Sequence, residues 1–170
     1  MHRNGCYPRH AILPDGRSVD FGVHRFRCAS CRRTVSYLPD FCVPYKHFCA
    51  DVIASVLEAV VIVGLSLRAV AAADGVWNAA AFSSGGAGRW VVHFLANCHN
   101  LRCFGLPRLG VDGGGTPPAS PSALLARLFA YGAGCVADGR HRLRVVQRGL
   151  GGAPPPYGFF RAQLLPGCVA

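Results

Sequence analysis

The most apolar stretch of the chain, residues 52–73, carries a helical period: Val52, Ile53, Val56, Leu57, Val60 and Val61 recur at steps of three and four. That spacing puts the apolar side chains on one stripe, which must be buried against other elements. Glu58 and Arg68 interrupt the stretch, and no uncharged apolar run approaches the ~20 residues that cross a bilayer. A core helix is expected instead, with Asp51 as its N-cap and Gly64 as its stop. Ser66 then caps a second helix over residues 67–73, ended by Asp74-Gly75. A third begins after Ser83 or Ser84 and runs through Trp90, Val91, Phe94, Leu95 and Cys98, again on one face. Trp77, Phe82, Trp90 and Phe94 are expected in the core.

Ahead of these helices the pattern changes. Val19, Phe21, Val23 and Phe26 are β-type residues punctuated by Gly16 and Gly22, and the run from Arg32 to Leu38 reads as a returning strand. Between them lies Cys28-Ala29-Ser30-Cys31. A hairpin this small cannot bury enough apolar area to stand alone, so a staple is expected. Two residues between thiolates let both sulfurs reach one tetrahedral ion, so Cys28 and Cys31 are candidate zinc ligands. A structural zinc takes four ligands. Upstream, only Cys6 and His10 are available; Cys42, His47 and Cys49 are downstream alternatives.

Charge narrows the function. The 170 residues carry 18 basic and 8 acidic side chains, and 17 of the 18 are arginine, whose planar fork suits phosphates. One Glu and seven Asp leave little material for chemistry that needs several carboxylates. The excess lies at the two ends: residues 1–50 and 105–170 are each +5, while residues 51–104 are neutral. Arg25, Arg27, Arg32 and Arg33 flank the knuckle, and Arg140, Arg142, Arg144 and Arg148 form a second cluster. Two such clusters on a small basic chain favour a polyanionic partner. No histidine sits in a recognisable nucleophile arrangement, and the glycines at 113–115 are not followed by a Lys as in a phosphate-cradling loop. The chain is therefore expected not to be an enzyme. An odd number of cysteines and no apolar leader point to a cytoplasmic protein with reduced thiols.

The expected architecture is mainly α, with a small N-terminal zinc-ribbon-like β-hairpin followed by a helix-turn-helix-like three-helix unit and a weakly structured C-terminal part. Its divisions are 1–48 for the hairpin region, 49–104 for the helical domain, 105–121 for a Gly/Pro linker, 122–149 for a further helix and basic stretch, and 150–170 for a disordered tail.

The run Val23-His24-Arg25-Phe26-Arg27-Cys28-Ala29-Ser30-Cys31-Arg32-Arg33-Thr34-Val35-Ser36-Tyr37-Leu38-Pro39-Asp40, with Pro44-Tyr45 and the helix from Asp51, resembles a group of uncharacterised bacterial proteins. These join a zinc ribbon to a helix-turn-helix and travel with insertion sequences and transposases. Gly64-Leu65-Ser66-Leu67-Arg68-Ala69-Val70-Ala71-Ala72 resembles their helix-turn-helix entry, and Arg89-Trp90-Val91-Val92-His93-Phe94 their third helix. The resemblance spans roughly residues 5–104. It implies DNA binding, zinc held by two Cys pairs, and no catalytic core. Two departures mark this chain: the upstream Cys pair has no counterpart, and glycines open the third helix, as in a decayed copy.

The leading expectation is a non-enzymatic protein of mobile-element type that binds double-stranded DNA. Arg25, Arg27, Arg32 and Arg33 would meet phosphates; Arg89, with His93 and Asn97, would face the groove, and Arg68 is a further nucleic-acid-binding residue. A transposase or a second copy of the chain is the expected protein partner. The alternative is an interaction module that docks on a transposase through helix 51–64 without touching DNA.

Overall fold

The computed structural model describes residues 2–39, 41–43, 46–73, 84–111 and 118–134, together with Leu143 and Val146. Trp77, Phe82, residues 112–117, the arginines at 140–148 and the tail from 150 lie outside the described residues; the expected linker starts later than 105, because residues 106–108 are helical and Leu106 and Leu109 are buried.

Three antiparallel strands come first: β1 (His2–Ile12), β2 (Ser18–Arg27) and β3 (Thr34–Tyr37), in the order β1-β2-β3. The expected hairpin is therefore the second half of a larger sheet. β1 was not anticipated, since His2–Ile12 contains Asn4, Gly5 and Pro8 and alternates poorly. Each of those residues has a place. The register slips between Arg3 and Cys6, and Gly5 takes φ +92° within that bulge. Pro8 is tolerated because β1 is an edge strand, where a missing N–H breaks little. Across from it stands Gly22, where a Cβ would come within 2.9 Å of the Cys6 Sγ.

The β1–β2 turn is written in Leu13-Pro14-Asp15-Gly16-Arg17. Pro14 presets a turn φ, and Gly16 takes the left-handed φ of +80° that closes the loop. The Leu13 N–H donates to the Arg17 carbonyl at 2.9 Å, and the Gly16 N–H donates to the Leu13 carbonyl at 3.0 Å. Asp15 accepts from the Arg17 backbone N–H at 3.0 Å and from its Nε at 2.6 Å. The backbone hydrogen bond first, then the side-chain one, hold the Asp15 carboxyl below its ordinary range. A depressed carboxylate stabilises the fold above its usual pKa, and that contribution fades as the pH falls through the acid range. Replacing Gly16 with Val forces a β-branched residue into the left-handed region. Urea denaturation is expected to show a loss of about 1–2 kcal/mol.

The helical part begins with α1 (Ala50–Leu57). Its N-cap is Cys49, two residues earlier than the sequence suggested, which places Asp51 inside the first turn. The carboxylate there still complements the helix dipole. α1 runs on through a π-helical turn, Glu58–Ile62, in which the Val63 N–H donates to the Glu58 carbonyl at 3.0 Å. Gly64, at φ +83°, then reverses the chain as expected. Ser66 caps α2 (Leu67–Ala72), its Oγ accepting from the Ala69 N–H at 3.1 Å.

α3 (Ser84–Asn100) continues through a second π-helical turn, Leu101–Gly105, into α4 (Leu106–Arg108), and α5 (Pro121–Gly134) follows. Gly88 of α3 admits the Leu67 side chain of α2: a Cβ there would lie 3.2 Å from Leu67 Cδ1. Close packing is thus the use of at least one glycine in that run.

One core joins these helices. Ile53, Val56 and Leu57 of α1, Trp90 and Phe94 of α3, Leu101, Leu106, and Leu124, Leu125, Leu128 and Phe129 of α5 are buried together with Leu143 and Val146. The segment beyond the Gly/Pro linker therefore shares the core of the preceding helices. Six of the eight α1 residues are buried, which withdraws most of that helix as a docking surface; Ile62, Val63 and Leu65 at its far end are exposed. None of the described helices is long and apolar enough to cross a membrane.

Residues 41–43 and 46–49 wedge the sheet against the helices. The Ile12 N–H donates to the His47 carbonyl at 2.7 Å, and the Cys49 N–H donates to the Ile12 carbonyl at 3.0 Å. Arg9 Nη2 donates to the carbonyls of Val43, at 2.9 Å, and Lys46. Phe21 meets Phe41 edge-on, and Phe48 meets Trp90 the same way, with ring centroids 5.5 and 5.2 Å apart.

Candidate nucleic-acid interface

Strand alternation decides which side chains share a face. On β2, Val23 is fully buried and Phe21 packs on Phe41, so the odd-numbered face points to the wedge at the root of the sheet. Farther along, that face carries Arg25 and Arg27, both exposed, about 7 Å apart along the strand. Here the sheet has left the core and continues as an arm. Ser36 lies opposite Arg25, and Thr34 opposite Arg27.

The loop joining β2 to β3 holds the knuckle. The Cys28 N–H donates to the Arg33 carbonyl at 2.9 Å, and Arg27 Nε donates to the Arg32 carbonyl at 3.2 Å. Arg32 takes φ +56°, a left-handed conformation that costs a side-chain-bearing residue about 1 kcal/mol or more. Arg32 and Arg33 are both exposed. The arm thus gathers Arg3, Arg25, Arg27, Arg32 and Arg33, and residues 2–14 and 21–39 contain no Asp or Glu. A concentrated positive potential follows from that sequence fact and this topology.

The knuckle does not meet its expected upstream ligands. Cys6 faces His24, four residues before Cys28, or roughly 13 Å along the strand. His10 faces Asp20, about twice as far away, and stacks on His47 with ring centroids 4.7 Å apart. Cys42 and Cys49 are buried, bridged to each other by backbone at the root of the sheet. Among the described residues no group of three or more His, Cys, Asp or Glu converges on a common point. Cys28 and Cys31 are two of the four ligands zinc requires, so the described residues do not fit a complete centre.

On the helices, Arg68 is exposed on α2, and Arg89 and His93 are exposed on α3. Asn97 is not: it is 7% exposed, and its Oδ1 accepts from Asn100 Nδ2 at 3.1 Å. The reason is helical geometry. Each four-residue step turns a helix about 400°, so by two steps Asn97 has rotated roughly 80° from Arg89 and into the core. The exposed face of α3 is completed by Val92, Leu95, Ala96 and His99.

Lys46, the one lysine of the chain, was missed in sequence. Burial first, then the nearby Arg89 charge, push its ammonium below the ordinary lysine range. Two cations held near each other favour an anion between them. Burial raises the Cys98 thiol, with Arg102 opposing, so this cysteine is a core thiol with little thiolate character.

Residues 1–73, from the sheet through α2, match a family described as Domain of unknown function (DUF6431). The match spans less than half of the chain, ends at α2, and carries no reference to zinc, helix-turn-helix units or transposases. Comparison with curated proteins and with solved structures found no match.

Proposed function

We propose that this chain is a non-enzymatic DNA-binding protein of the transposase-associated kind, gripping duplex phosphates with its β-arm. The carrying observation is the arm itself: five arginines gathered on one sheet and its loop, within residues 2–14 and 21–39, which contain no Asp or Glu. Arg25 and Arg27 on one face and Arg32 and Arg33 in the loop serve as phosphate ligands, while Arg89 and His93, with Arg68 on α2, serve as a helical contact. In this reading α2 and α3 play the parts of a helix-turn-helix, with Gly88 permitting their close approach. Asn97 supports the helix from inside instead of reading bases.

The test is titration of labelled duplex DNA at several salt concentrations. Binding whose log affinity falls linearly with log salt, with a slope of about −4 or steeper, is expected. No binding at ~50 mM salt would end the proposal.

Zinc at Cys28 and Cys31 requires two ligands from outside the described residues. Elemental analysis of purified protein decides it: stoichiometric zinc that is lost in Cys28→Ser would support the metal, and zinc-free, folded protein would remove it from the account.

A second reading has its own support. Val92, Leu95 and Phe104 are exposed apolar side chains along the α3 rod, a surface suited to a protein partner such as a transposase. Under this reading the chain co-purifies with that partner and ignores DNA.

A further inference from the structure

The opposite face of the arm has a different chemistry. On the even-numbered side of β2, the register lines up two cross-strand rows: Arg3, Phe26 and Val35 in one, and Cys6, His24 and Tyr37 in the next. Tyr37 is 75% exposed, more than any other large apolar or aromatic side chain among the described residues. Phe26 meets it edge-on, with centroids 6.3 Å apart and planes at 79°, which fixes the tyrosine ring from one side and leaves the other side open.

Beside this pair, Arg3 Nη2 lies 3.1 Å from His24 Nδ1. Arg is always a donor, so the histidine nitrogen accepts, and the guanidinium is oriented by that bond with its remaining N–H groups available. Arg3 and Tyr37 stand on the two outer strands, about 10 Å apart across the sheet, the reach of a dinucleotide. No carboxylate lies in either row, and among the described residues Asp20 is four residues along β2 from His24.

We infer that this face binds single-stranded nucleic acid, with an unpaired base stacked on Tyr37 and an adjoining phosphate on Arg3. The inference rests on the proposal that the arm binds nucleic acid and adds a second ligand form to it. Base pairs inside a duplex hide their faces in the stack, so an aromatic platform can act only on unpaired bases. Charge and shape favour this occupant: a single strand brings an anion for Arg3 and a flat π-face for Tyr37 in every nucleotide, whereas a protein partner would have to bring an acidic group and a flat apolar one at the same spacing. Together the two faces equip the arm for a junction, with paired DNA on Arg25 and Arg27 and a frayed strand on Tyr37.

The experiment compares fluorescence anisotropy of labelled 15-nucleotide oligo(dT), oligo(U), an abasic 15-mer and a duplex on the full chain. Tyr37→Ala is expected to weaken oligo(dT) binding about tenfold, the loss of one stacked base, and to leave duplex affinity unchanged. Tyr37→Phe is expected to restore binding, and the abasic strand to bind the parent chain no better than oligo(dT) binds Tyr37→Ala. Comparable affinity for oligo(U) would extend the site to RNA; preference for one sugar would assign the source. Equal losses on duplex and single strand in Tyr37→Ala would overturn the stacking role. Duplex binding without single-strand binding would overturn this inference alone, whereas failure of every oligonucleotide would take the arm proposal with it. Tyr37 is exposed, so folding of both variants, checked by circular dichroism, should match the parent.

Discussion

Replacing Arg25, Arg27, Arg32 and Arg33 together by glutamine is expected to abolish most of the salt dependence of duplex binding. Each phosphate neutralised on duplex DNA contributes about 0.9 to the slope of log affinity against log salt. Four arm contacts therefore supply a slope of about −3.6, and this part alone costs the parent chain roughly 150-fold in affinity between 50 and 200 mM salt. The fourfold variant lacks that part and binds about a hundredfold more weakly at the lower salt. All four side chains are exposed, so the substitution leaves the core untouched. Parallel slopes for parent and variant would mean that the arm does not touch phosphate, and Arg68, Arg89 and His93 would then have to carry whatever binding remained. Single replacements are expected to lower the slope by about one each.

The largest effect on stability is expected at Phe94. Its side chain is completely buried in α3, in the core that also holds Leu57 of α1 and Leu128 of α5. Truncation to alanine removes the transfer free energy of an aromatic ring and leaves a cavity that three helices cannot close. A loss of about 3–5 kcal/mol is expected by urea denaturation, with a fall in Tm of roughly 10 °C. Phe94→Leu refills most of the space and should cost well under half as much. If Phe94→Ala unfolded no more easily than its parent, the shared core of α1, α3 and α5 would be wrong. The same variant separates two roles of α3: a chain that still folds in Phe94→Leu and binds DNA unchanged shows Arg89 and His93 to be independent of core packing detail.

Much of the helical part was legible because its signals are local. The stripe from Val52 to Val61, the glycine at 64 and the serine at 66 each act within one turn, and each sits where its chemistry requires. The start of α1 was harder: a carboxylate near an N-terminus is favourable both as a cap and within the first turn, so Asp51 could not distinguish them. The π-helical turns left no mark in the pattern, since an extra residue per turn arises from packing. β1 was overlooked because propensity argued against it, although Pro14-Asp15-Gly16 is a turn signal and a turn there needs a strand before it. That omission had consequences for the site. Without β1, Arg3 has no place on the arm, His24 has no partner, and Cys6 and His10 seem close enough to join the knuckle. The exposure of Arg25, Arg27, Arg32 and Arg33 was legible from charge and alternation alone. Tyr37 was not, because exposure of an aromatic residue is a property of the fold.

The wedge formed by residues 41–43 and 46–49 has a mechanical corollary. Hydrogen bonds from Ile12, Cys49 and Arg9 moor the base of the sheet to backbone that leads directly into α1. A base so moored ties the direction of the sheet to that of α1, so under the proposed function the span between the arginine loop and Arg89 would act as a ruler. A polyanion long enough to touch both would then have to bend or slide to that gauge, and lengths shorter than the ruler would engage one end only.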